Sequence, residues 1–346
     1  MKINFLGDIG IFRKYELLNI DPFSQIDLPE SDLNIGNFEF IIPKKRTKFY
    51  YDVQDAYSCS YDYLKKLKIN KFHGFGFANN HSLDYGLEGA NDTINFIRDA
   101  GLSAFGFSND PSYTLGNFNC DGIHIGIIAC VKNGRWSKEK NGFGPDSYDV
   151  SQIINLIREN SKKYDHLVIY PHWGTELISV PDPADTRNAK AFIDAGASAV
   201  IGHHPHVPQG IEQYKNGIIA YSLGSFIYVH EDELGYSDRD IKRHISMCIN
   251  VELTKSVLAN YTCYYYRYNP SRKIPEMVAS ESLQKLILFL NNNIYNQKLR
   301  NQEISKTLII RELHSFFERF KASPLKALVS YTRHFLSFVL RRIFKK

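Results

Sequence analysis

Three imidazoles stand within four positions, at His203, His204 and His206, directly after the apolar run Ala199–Ile201. That run reads as a buried strand. Histidine is the commonest metal ligand among side chains that change charge near neutral pH. His204 and His206 are two apart, so on an extended segment both side chains can face one centre. Pro205 stiffens the loop, and Gly202 lets the backbone approach closely. Other candidate groups end one apparent strand after another: Asp8, then Glu39, then Asn80 and His81, then His172. The mix of carboxylate, amide oxygen and imidazole suits one or two divalent transition ions, Mn, Fe or Zn, better than Ca. No cysteine occupies these positions, which argues against a thiolate zinc site. A pair of ions about 3.5–4 Å apart is a standard device for in-line displacement at phosphorus. Asp84, three residues after His81, is close enough to orient its ring. Each group has a plain structural reading: a strand-to-turn ending at Gly7-Asp8, a helix cap at Asn79-Asn80-His81-Ser82, a core histidine at His172. Their recurrence in consecutive units favours a shared site. His73, His124, His166, His230, His244, His314 and His334 lack a comparable strand-end setting and are not taken as ligands.

The elements that must position these groups alternate. Strands are expected at Lys2–Leu6, Leu33–Phe40, Phe72–Ala78, Ser103–Phe107, Ile123–Cys130, His166–Tyr170 and Ala199–Ile201. Helices are expected at 55–67, Leu87–Ala100, Val150–Lys162 and Asp185–Ala195. Strand–helix repetition indicates an α/β fold, and in an open α/β sheet ligands gather outside the carboxyl ends of the strands. Late strands at His244–Leu253 and Tyr261–Tyr268 precede a helical segment that starts after Glu281. Asn269-Pro270-Ser271 and Pro275 suggest two domains: an α/β domain over 1–270 and a helical extension over 271–346.

Composition bounds the class. The 346 residues are 43% hydrophobic and 23% charged, ordinary for a globular chain with a large core. A net charge of +5 is too mild to argue for nucleic acid. Seven of the basic residues lie between Lys321 and Lys346, where there is no acidic residue. Five scattered cysteines without a C-x-x-C pair suit reduced thiols. The N-terminus enters a strand at once, so no secretory signal is expected; with the scattered cysteines, the expected location is cytoplasmic or peripheral at the inner face of the membrane.

Taken as a set, FLGDIG around Asp8, NFE ending at Glu39, ANNHSLDYG over 78–86, HWGTE over 172–176, GHHPHVPQ over 202–209 and YSLGSF over 221–226 resemble the CapA family of capsule and poly-γ-glutamate biosynthesis. That family is itself similar to calcineurin-like metallophosphoesterases, and the resemblance runs from about Lys2 to Tyr228. It implies a four-layer α/β/β/α sandwich with a two-metal site at one edge. By resemblance, Asp8 binds the first ion, Glu39 takes the bridging place, Asn80 and His172 bind the second ion, and His204 and His206 complete the site. His81 takes the place of the histidine that protonates the leaving group. The sequence departs from the pattern at Gly10, where a histidine is usual, and at Phe38 and Ser225; Glu39 is longer than the usual bridging aspartate. The implied function is a metal-dependent phosphoric ester hydrolase acting on a phosphorylated or polyanionic cell-surface polymer or its precursor. The rivals are a non-catalytic or ligase-accessory binder of such a polymer and a membrane-docked scaffold.

The segment 324–346 places Leu325, Leu328, Val329, Phe335, Leu336, Val339, Leu340 and Ile343 on one helical face, with basic residues largely on the other. Such a helix either lies peripherally in a membrane interface or packs on the domain or a second subunit.

Overall fold

The computed structural model describes residues 1–11, 13–44, 58–110, 112–132, 142–228 and 241–322. In chain order the strands are β1 Lys2–Gly10, β2 Leu33–Phe38, β3 Gly74–Gly76, β4 Ser103–Phe105, β5 Phe107–Ser108, β6 Gly116–Cys120, β7 Ile123–Val131 and β8 Gly144–Pro145. They continue as β9 His166–His172, β10 Ala199–Ile201, β11 Ile211–Tyr214, β12 Gly217–Ala220, β13 Ser225–Tyr228, β14 Ile245–Leu253, β15 Leu258–Asn269 and β16 Ile274–Met277. The helices are α1 Arg13–Leu18, α2 Pro22–Gln25, α3 Tyr61–Leu64, α4 Gly86–Asp99, α5 Val150–Asn160, α6 Pro183–Ala195, α7 Glu281–Asn292 and α8 Gln297–Ala322.

Two mixed sheets stack face to face. The first runs β16-β15-β14-β1-β2-β3-β4, with β13 also pairing β1; the second runs β11-β12-β10-β9-β7-β6. Three apolar layers hold them. Leu6, Phe38, Phe75 and Ile97 pack α4 and the loop helices onto the outer face of the first sheet. Phe5, Ile35, Ile127, Val168, Ile201 and Met247 fill the space between the sheets. Ile153, Ile157, Phe192 and Val200 pack α5 and α6 on the outer face of the second. The result is the α/β/β/α layering expected from the sequence.

Local chemistry explains the element ends. Asp149 caps α5 through Gln152 N, and Asp182 caps α6 through Ala184 N, with Pro183 at its first turn and left-handed Gly196 closing it. The helix expected over 55–67 is seen as the single turn Tyr61–Leu64, capped by Ser60; residues 51–57 lie outside the described ones. The strand expected over 103–107 breaks at Gly106, whose φ is +84°. Near residue 270, β16 pairs with β15 from Asn269↔Ile274 onward, and α7 buries Ile287 and Leu290 in the layer between the sheets.

The centre of the first sheet carries the irregularity that matters. β1 pairs antiparallel with β14 over Lys2–Leu6 and parallel with β13 from Asp8 onward. Its register with β2 shifts between Phe5 and Asp8. Such bulges re-aim side chains and gather near active sites. Gly7 makes the handover possible: a Cβ there would lie 2.0 Å from the Gly224 carbonyl oxygen.

Candidate metal centre

The carboxyl ends of strands from both sheets meet at one edge. Asp8 lies in β1 past the register shift, Glu39 follows β2, and Asn80 and His81 follow β3. From the second sheet come His172, the last residue of β9, and His204 and His206 in the loop after β10. Gly202 opens that loop where only glycine fits, because a Cβ would meet the Tyr221 carbonyl oxygen at 2.1 Å. The alternation argument for His204 and His206 is corrected: the segment is not extended there. Both residues are left-handed, at φ +95° and +57°. Two bends, not strand alternation, aim them. Such backbone costs about 1–3 kcal/mol per residue and persists where surroundings over-determine it.

The side chains converge tightly. His172 Nε2 lies 2.7 Å from Asn80 Oδ1 and 3.4 Å from Glu39 Oε1. His206 places Nε2 3.4 Å from Glu39 Oε1 and Nδ1 3.2 Å from Asp8 Oδ2. Two overlapping triads have ligand atoms within 4.8 Å of one another: Glu39, His204 and His206, and Asp8, Glu39 and His172. Glu39 is the member they share. His203 belongs to neither triad; it lies against Tyr170 and donates from Nε2 to the Leu6 carbonyl at 3.2 Å.

Three side chains that sequence reasoning left without a role tie the cluster together. Asn37 Nδ2 donates to Asp8 Oδ1 at 2.8 Å and lies 3.2 Å from His172 Nδ1, bridging the sheets. Ser225 Oγ is 3.1 Å from His206 Nδ1, and the Tyr228 ring lies tilted against the same imidazole at 4.7 Å between centroids. The signal for Asn37 was its place two residues before Glu39; the signal for Ser225 was its place in YSLGSF.

His81 is set apart. Its Nδ1 is 2.7 Å from Asp84 Oδ2, and its backbone N–H donates to Asn79 Oδ1 at 3.1 Å. The contact with Asp84 expected from spacing is therefore present. Among the remaining histidines, His166 is held between Ser198 Oγ and the Thr254 carbonyl, and His73 accepts from the Asn34 N–H.

Electrostatics follow from burial and crowding. Burial by itself would raise the Glu39 carboxyl, but His206 and His172 overcome it and hold that group well below the usual carboxylate range. Burial opposes charge on His206, yet Glu39 and Asp8 push it well above its ordinary value. His204 is driven down to about 3 by burial and by the neighbouring imidazoles His172 and His206. Burial likewise lowers His203. For His81 burial works downward, and the Asp84 carboxylate outweighs it, so the group is raised.

Whether these residues suit a cation is tested by Glu39. Both of its carboxylate oxygens are buried and neither accepts a well-formed hydrogen bond; Oε1 faces the His172 and His206 nitrogens at 3.4 Å. His204 Nδ1 is buried and unsatisfied as well. Buried carboxylates without hydrogen bonds are rare because desolvation costs several kcal/mol. A shared anionic group facing imidazole nitrogens and an amide oxygen meets the donor preferences of a divalent transition ion. The residues fit.

Fold and cluster together define a two-sheet sandwich with a metal-ligand-rich strand-end site. The chain belongs to the bacterial capsule synthesis protein family PGA_cap, whose family model matches residues 3–229. It is 33% identical over 238 residues to the capsule biosynthesis protein CapA of Bacillus anthracis, covering 65% of this chain and 55% of that protein. It is 30% identical over 240 residues to the PGA biosynthesis protein CapA of Bacillus subtilis strain 168, covering 66% and 63%. The matched stretches thus fall short of two thirds of these relatives' lengths. Among solved structures it is similar to a novel phosphatase from Mycoplasma pneumoniae, with TM-score 0.49 and 14% identity over 79% of this chain and 95% of that one.

Proposed function

We propose that the protein is a metal-dependent phosphoric ester hydrolase acting in capsule or other cell-surface polymer biosynthesis. The observation that carries this is the buried carboxylate of Glu39 at the junction of two ligand triads, facing two imidazoles at 3.4 Å with no well-formed hydrogen bond to either oxygen. Asp8, Glu39, Asn80, His172, His204 and His206 would hold one or two ions of Mn, Fe or Zn. A bound ion of this kind polarises phosphoryl oxygens and lowers the pKa of bound water. The chain's own contribution is orientation and proton supply. Asn37 fixes Asp8 against His172, and Ser225 steadies His206. Asp84 turns the His81 ring through Nδ1, which assigns Nε2 to deliver a proton to a leaving oxygen. The substrate class in this reading is a phosphorylated or polyanionic polymer or its precursor, met at the cytoplasmic face through peripheral contact by 324–346.

A second reading, a non-catalytic or accessory binder using the same pocket, draws on Gly10. β1 ends there without a side-chain donor, opposite Tyr228. One experiment separates the two: elemental analysis of freshly purified protein, followed by turnover of a generic phosphodiester and phosphomonoester with added Mn. The hydrolase reading expects at least one bound divalent ion and hydrolysis that a chelator abolishes. Bound metal without turnover supports the binder. Absence of metal, with no calorimetric binding after reloading, defeats the metal assignment.

A further inference from the structure

We infer that Glu303, with Arg300 beside it, is a positioning residue for the metal centre, so that helix α8 clamps the loop that braces the ligand histidines. The inference rests on reading the cluster as a metal site. Helix α8 lies beyond the region matched by the family, which ends at residue 229.

The contacts are specific. Glu303 Oε2 accepts from the Ser179 backbone N–H at 2.7 Å. Its Oε1 accepts from Ser179 Oγ at 2.6 Å and from Lys242 Nζ at 2.8 Å. One turn earlier, Arg300 Nη2 donates to Asp182 Oδ2 at 3.0 Å and reaches Thr175 Oγ1 at 3.4 Å. Both ends of the segment 175–182 are therefore fastened to one helix. That segment starts three residues after His172 and has no regular secondary structure of its own before α6. Hydrogen bonds with an ionised partner are shorter and stronger than neutral ones.

The fastened segment is in turn bonded to the ligand loop. Within it, Leu177 N donates to the Pro205 carbonyl at 2.8 Å; just before it, Trp173 N donates to the His203 carbonyl at 3.0 Å. Gln209 Nε2 donates to the Ile178 carbonyl at 2.8 Å. Pro205 lies between His204 and His206. Leu177, His204 and His206 are all non-glycine residues in the left-handed region, at φ +66°, +95° and +57°. Backbone of that kind relaxes unless its surroundings hold it. Helix α7 adds a second hold, since Asn291 Oδ1 accepts from Ile211 N at 2.7 Å at the far end of the loop. The route thus runs from Glu303 and Arg300 to 175–182, and from there to His204 and His206.

The test uses the full chain and three proteins: wild type, Glu303→Ala, and Ile157→Ala, which hollows the core beneath α5. Mn2+ affinity is measured by calorimetry, the visible spectrum after Co2+ loading reports ligand geometry, and thermal unfolding reports stability. Glu303→Ala is expected to weaken Mn2+ binding about tenfold, the low end for a residue acting through an intermediary. It is also expected to shift the Co2+ bands. Ile157→Ala should lower the unfolding temperature yet leave affinity and bands unchanged. Wild-type affinity and spectrum in Glu303→Ala overturn the inference, as does an equal loss in both variants. Should wild type bind no Mn2+, the metal reading fails by itself, and amide hydrogen exchange decides the clamp. Faster exchange at Trp173 and Leu177 in Glu303→Ala, with Val168 and Ile169 unchanged, sustains it; unchanged exchange at all four overturns it.

Discussion

His81 is turned through its ring by the Asp84 carboxylate, which outweighs burial and raises its proton affinity, with Glu39 adding to the rise and His206 opposing it. A group so placed is suited to giving up a proton, not to holding an ion. His81→Ala is therefore expected to lower phosphodiester turnover by roughly 10²–10⁴-fold. Metal content should stay at the wild-type value by elemental analysis; its loss together with activity would make His81 a ligand instead. Residues of this sort were legible because they end strands in short polar motifs, as Asp8, Glu39, Asn80, His172, His204 and His206 do. Asn37 was not, since its link between Asp8 and His172 depends on how β1 and β2 align and on the distance between two sheets. How His204 comes to face the cluster was hidden for a similar reason. It depends on the left-handed turn at His204, and nothing in the residue type announces one.

At the scale of elements, the β1–β13 junction is the demanding one. Asp8 N donates to the Gly224 carbonyl at 3.0 Å, and Gly7 packs against that same carbonyl. Gly7→Ala must push the strands apart, which is expected to cost about 1–3 kcal/mol or more as overpacking. Chemical denaturation measures this, and metal stoichiometry should fall with it, because Asp8 and Ser225 are partners across the junction. Wild-type stability in this variant would show that the strands do not meet as described. The long periodic helices α4, α5 and α6 and the apolar strands β7 and β9 were readable from spacing. Strands β6, β11, β12, β13 and β16 were not. β12 and β13 are buried throughout and four residues long, so they show no alternation to read. β16 becomes a strand only by pairing with β15.

For the whole molecule, the open matter is what the basic amphipathic segment 324–346 rests on; it lies outside the described residues. Among the described residues no helix is long and apolar enough to cross a membrane. Each basic residue near an anionic lipid surface contributes about 1 kcal/mol, screened by salt. The full chain is expected to pellet with anionic vesicles and to be released by high salt. A chain ending before Pro324 should stay in the supernatant and keep its metals; its unfolding or precipitation would show that the segment packs on the protein. The placement of β1 has a consequence of a different kind, in the timing of synthesis. β1 is made early, and its partner across Asn4↔Asn250 follows 246 residues later. At a ribosomal pace of about 5–20 residues per second, that strand waits on the order of tens of seconds for its neighbour. Through that interval an apolar stretch destined for the middle of a sheet has one flank without its eventual occupant. An unpaired edge held open that long is exposed to misassembly until β14 closes over it.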